Sequence, residues 1–155
     1  MIQRIQTFYL SLIILLSIFL LNGSILSFHD ESGTVIKVTI EGILRDTGDK
    51  NFLLIGKFLP LSAVLILIPL VSLAAIFLFR KRKIQMGLAI FVIILSAGLS
   101  VLTFLCSYNI ISKFKSGITP GLNMALPFLI LIFAILAYRG IRKDDRLVKS
   151  YDRLR

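Results

Sequence analysis

Four long stretches of this chain, residues 8–28, 58–79, 84–108 and about 120–138, contain no Asp, Glu, Lys, Arg or His. Crossing the hydrocarbon core of a bilayer as a helix takes ~20 apolar residues, and each stretch is of that order. A backbone buried in lipid must satisfy its own hydrogen bonds, which leaves helices as the structure for such runs. The expected fold is therefore an all-α membrane protein, a four-transmembrane-helix bundle. Composition agrees: 57% of the 155 residues are hydrophobic, and the mean hydropathy is +0.92. A water-facing surface would not tolerate so apolar a majority. The spans occupy most of the chain, so one bundle over residues 1–155 is the single domain expected.

The same lack of charge limits what can be said of function. An ionisable group at membrane depth is the usual sign of an ion path, a proton relay or a substrate site. The only cysteine, Cys106, has no partner for an intramolecular disulfide, which argues against a thiol-oxidoreductase built on a cysteine pair. It reads as a packing residue of span 3. His29, Asp30 and Glu31 are adjacent at a membrane boundary but have no evident nucleophile or metal set beside them. Neither a catalytic residue, a cofactor nor a metal site is expected.

The net charge of +10 invites a nucleic-acid reading, but the placement of the charges argues against one. Arg4, the run Arg80, Lys81, Arg82 and Lys83, and seven basic residues from Arg139 onward fall on one side of the bundle. Lys37, Arg45, Lys50, Lys57, Lys113 and Lys115 fall on the other. Lys and Arg concentrate in cytoplasmic segments. Both termini and the tetrabasic turn are accordingly expected in the cytoplasm, with loops 29–57 and 109–119 outside. Span 1 also fits, less well, a cleaved signal peptide. Its apolar run is longer than usual and lacks an Ala-x-Ala-like site, so retention is expected.

Within loop 29–57, residues 34–41 alternate. Ile36, Val38 and Ile40 fall on one face, with Lys37, Thr39 and Glu41 on the other, and Gly33 and Gly42 bound the run. That period of two predicts a strand in a short β-hairpin-like outer loop. Pro69 in the middle of span 2 predicts a kink. In span 3, Ser96, Ser100, Thr103 and Ser107 recur along one helical stripe. Small hydroxylated residues on one face allow close helix approach, so the stripe reads as a packing seam. It would serve the bundle itself or self-association; a polar transport path is the alternative. Asn22 and Asn123 are expected to satisfy nearby backbone groups.

Beyond Tyr138 lies a basic tail, 139–155. Leu147, Tyr151 and Leu154 share one helical face, with Arg153 and Arg155 among the surrounding cations. A segment so short is marginal as an isolated helix and needs a surface, either an anionic leaflet or a protein. Together with Arg4 and residues 80–83 it forms the expected lipid- or partner-docking set.

The residues 1–7, Met-Ile-Gln-Arg-Ile-Gln-Thr, and 143–155, Lys-Asp-Asp-Arg-Leu-Val-Lys-Ser-Tyr-Asp-Arg-Leu-Arg, together with the four-span layout, resemble a domain-of-unknown-function family of small inner-membrane proteins from Bacteroidetes. The two motifs cover about 20 residues; the middle matches by topology only. The resemblance implies a bacterial inner-membrane location and brings no activity, cofactor or catalytic residue. The function expected is a non-catalytic accessory or scaffold subunit of a membrane complex, with a membrane-protein partner or a second copy of itself. A small transporter or channel is the alternative, and nucleic acid is not an expected partner.

Overall fold

The computed structural model describes residues 5–29, 35–46, 52–56, 59–79, 81–114, 117–118 and 122–153. Four helices dominate: α1 (Ile5–Asn22), α2 (Leu59–Phe77), α3 (Arg82–Phe114) and α4 (Leu126–Arg153), the last preceded by a 3-10 turn at Leu122–Ala125. All four are long and apolar enough to cross a membrane. α2 runs through Pro69 as one helix.

Each helix turns one narrow seam inward, and all four seams share a period. In α1 the buried positions are Gln6, Leu10, Ile13, Ser17 and Leu20; in α2 they are Leu61, Leu65, Ile68, Ser72 and Ala75. α3 buries Gln85, Ala89, Val92, Ser96, Leu99, Thr103 and Cys106 in the same alternation of four and three. α4 buries Pro127, Ile130, Ala134, Ala137 and Ile141. A contact every ~3.5 residues is the repeat of helices crossing at about 20°, as in four-helix bundles. Outside these seams the large apolar side chains are exposed, among them Phe8, Phe77, Phe104 and Ile132. That is the distribution of a bundle solvated by lipid.

The expected hairpin-like element, at the end of the bundle away from the basic turn, is part of a larger sheet. There a five-stranded antiparallel sheet forms, in the order β4-β3-β2-β1-β5. Its strands are β1 (Leu26–His29), β2 (Val35–Thr39), β3 (Gly42–Asp46), β4 (Phe52–Gly56) and β5 (Gly117–Ile118). Span 1 thus ends at Asn22, and the last part of its apolar run is a strand. Leu26 lies opposite Val38, and Phe28 opposite Ile36. All four are buried in one hydrophobic cluster with Leu20 and Leu61 of the helices.

Ile36 and Val38 face inward as the alternation requires, but Ile40 does not extend that face. It sits with Glu41 in the two-residue turn between β2 and β3, where Thr39 pairs with Gly42. The sheet draws on two connections: β1 to β4 lie between α1 and α2, and β5 lies between α3 and α4. At 1.5 Å per residue, α1 spans ~27 Å, whereas the 33 residues of α3 reach ~50 Å. The sheet fills the step between short and long helices.

Two polar ties hold this junction. The Ile25 N–H donates to the Val38 carbonyl at 2.7 Å, and Asn123 Nδ2 donates to the Ser24 carbonyl at 2.6 Å. A Cβ at Gly23 would stand in ordinary contact with Asn123 Nδ2, at 3.6 Å, and in a tight one with the Phe19 carbonyl oxygen, at 3.3 Å. Asn22 Nδ2 donates to the Ile18 carbonyl. Both amides serve nearby backbone, as expected from the sequence.

Candidate functional site

The hydroxyl stripe of α3 is buried at Ser96, Ser100, Thr103 and Ser107. Each hydroxyl donates to a carbonyl of its own helix: Ser96 to Ile93 at 2.9 Å, Ser100 to Ser96 at 3.0 Å, Thr103 to Ser100 at 2.8 Å and Ser107 to Thr103 at 2.9 Å. This back-bonding is the ordinary way such residues satisfy themselves inside a helix. It leaves a surface of small side chains and no hydroxyl proton directed at a neighbouring helix. Cys106 is buried in the hydrophobic cluster beside this stripe. Among the described residues, no group of three or more His, Cys, Asp and Glu is placed to hold a metal ion.

Beside the mid-bundle hydroxyls of Ser17 and Ser72, the buried polar atoms without partners are amides at the opposite end of the bundle from the sheet. The first seam position of α1 is Gln6, 6% exposed, and the first of α3 is Gln85, 1% exposed. Gln6 Oε1 and both polar atoms of the Gln85 amide have no hydrogen-bond partner. A buried amide left without partners costs ~1–3 kcal/mol, so these positions stand out against twenty apolar core residues. Both line a cavity of about 20 Å³, closed by Phe79, Arg82, Ile141 and Asp144. That is roughly the space one water needs. Arg82 Nη1 donates to the Asp144 backbone carbonyl at 3.2 Å, joining the start of α3 to α4.

On its lipid side Gln6 also lines a larger cleft between α1 and α4, of about 360 Å³. Its walls are Tyr9 and Leu136 toward the middle of the bundle, and Ile5, Arg139, Lys143 and Asp144 toward the end where α1 begins. Gly140 floors it: a Cβ there would meet the Gln6 side chain at 3.4 Å, so the two helices approach closely at this level. Tyr9, itself part of the cleft wall, stacks on Phe133 of α4 with ring centroids 6.2 Å apart.

Residues 139–153 continue α4 without a break, so the span itself nucleates the helix, and the entropy problem of a short isolated segment disappears. α4 carries Leu147, Tyr151 and Arg153 in its last turns. Lys81 and Lys83 are exposed beside Arg82 at the turn into α3. Arg4, Arg80, Leu154 and Arg155 lie outside the described residues. Sequence reasoning missed Gln6, Gln85 and Asp144 as a group. The signal available was the heptad register, which puts both glutamines at the first inward position of their helices.

The segments 1–7 and 143–155 are far apart in the chain, yet Gln6 of the first and Asp144 of the second line the same cavity. Comparison with curated proteins and with solved structures returned no match. A family model described as Domain of unknown function (DUF4293) matches residues 2–154, from the first motif to the second. The chain belongs to that family, and Gln6 and Asp144, one from each terminal motif, share a cavity at one end of the four-helix bundle.

Proposed function

We propose that this protein is a non-catalytic accessory or scaffold subunit of a larger assembly in the bacterial inner membrane, docked through its basic cytoplasmic end. The observation that carries the reading is the unbroken course of α4. It leaves the bundle as a membrane span and continues to Arg153 as one helix. A segment that is already helical avoids part of the ordering cost that a flexible tail incurs on binding. The stripe of α3 supports the same reading, because its hydroxyls are engaged with their own helix and serve packing. Leu147, Tyr151 and Arg153 on α4, with Lys81 and Lys83 beside it, form the docking surface; the occupant is a membrane protein with an acidic cytoplasmic face.

The test is native purification after chemical crosslinking, for the full chain and for a chain ending at Arg146. The full chain should isolate with a stoichiometric companion, and the shortened chain should lose it while keeping its fold. A full chain that isolates as a monomer, or a companion retained after shortening, overturns the proposal.

A further inference from the structure

We infer that the cleft between α1 and α4 is a binding site for one phospholipid whose headgroup carries both a phosphate and a primary ammonium, of the phosphatidylethanolamine class. This goes beyond the docking role above and does not depend on it.

The position of the cleft suits a lipid. Leu136 and Lys143 stand seven residues apart on α4, which is ~10 Å along a helix axis. The headgroup layer on one side of a bilayer is ~5–8 Å thick. The charge-free run ends at Tyr138 and the basic segment begins at Arg139, so the cleft straddles the hydrocarbon boundary. Tyr9 and Leu136 offer an apolar wall for the upper part of an acyl chain.

The polar groups then select the headgroup. Arg139 and Lys143 can donate to phosphate oxygens, the guanidinium in forked geometry. Asp144 lines the same cleft and adds a carboxylate. An anionic headgroup without an amine would meet that carboxylate unfavourably, whereas an ammonium donates to it. Gln6 lines the cleft too, but its Oε1 is fully buried, so the Asp144 carboxylate is the acceptor offered to the headgroup. An ammonium has three N–H donors for it, while a trimethylated choline has none. Two cations and one carboxylate, set beside an apolar wall, match the dipole of the proposed headgroup.

The test uses the full chain in detergent, stripped of lipid, with native mass spectrometry of added phosphatidylethanolamine, phosphatidylcholine or phosphatidylglycerol. One phosphatidylethanolamine should bind per chain, more tightly than either of the others. The pair Arg139→Gln and Lys143→Gln should weaken it about ten- to a hundredfold, as expected for loss of charge-assisted bonds. Asp144→Asn should erase the preference over phosphatidylcholine while binding of the phosphate persists. The pair Arg142→Gln and Arg146→Gln removes equal charge from the same helix outside the cleft and should leave binding intact. An equal loss in that control, a preference for phosphatidylglycerol, or displacement by inorganic phosphate would each overturn the inference.

Discussion

At the scale of single residues, the bundle distinguishes hydroxyls that are satisfied from those that are not. Ser100 donates to the Ser96 carbonyl, but Ser17 and Ser72 are buried with no partner for their hydroxyls. Removing an orphaned polar group relieves its desolvation cost. Ser72→Ala should therefore raise the thermal midpoint in detergent, by the equivalent of ~1 kcal/mol. Ser100→Ala should change it little, because the Ser96 carbonyl keeps its helical donor. A midpoint lowered by Ser72→Ala would show that this hydroxyl has a partner. Gly42 poses a backbone question of the same kind. Its φ is 139°, a conformation open to glycine and strained for residues with a Cβ. Gly42→Ala should destabilise by ~1–3 kcal/mol, and protease cleavage within the β2–β3 turn should rise with it. Unchanged cleavage would mean that the turn relaxes without strain.

At the scale of elements, hydropathy located the four helices but not the faces they bury. The reason is the solvent. In water the inward side is marked by apolar residues, but lipid makes the outward side just as apolar, so the contrast vanishes. What marks the inside is small size and occasional polarity: Ala75 and Ser72 on α2, Ala134 and Ala137 on α4, Gln6 and Ser17 on α1. Only α3 carries enough such residues in a row for the stripe to be read directly. The strands divide in the same way. β2 was legible because it alternates in a polar loop. β1 continues the apolar run of span 1 and was read as helix, and the two residues of β5 are too few to carry a pattern. The polar end was legible only in part, since Gln6 and Gln85 gain meaning when two registers are aligned. Small size on the inward face is testable. Ala137→Leu puts extra volume into the seam and should cost ~1–3 kcal/mol. Ala63→Leu, the same change at an exposed position of α2, should be close to neutral. Equal effects at both sites would contradict the seam.

At the scale of the whole molecule, the asymmetry of charge and the asymmetry of structure coincide. The sheet end carries the folded cap and the fewer cations. The other end carries the turn into α3, the start of α1 and the extension of α4. Lys and Arg resist translocation, so the end richer in them is expected to stay in the cytoplasm, and the sheet to fold on the far side. This orientation makes sense of the division of labour proposed above. A lipid headgroup and a docking partner would both be met at the cytoplasmic surface, while the sheet edges would face the other compartment. Single cysteines introduced on a Cys106→Ala background give the check. Lys81 and Arg142 are exposed at the basic end, and Glu41 at the sheet end. An impermeant thiol reagent added to intact cells should label a cysteine at position 41 and spare those at 81 and 142 until the membrane is opened. Labelling of 81 and 142 alone would invert the protein and move the proposed docking surface outside. Labelling that separates 81 from 142 would be incompatible with an antiparallel bundle, because those positions belong to the same end of it.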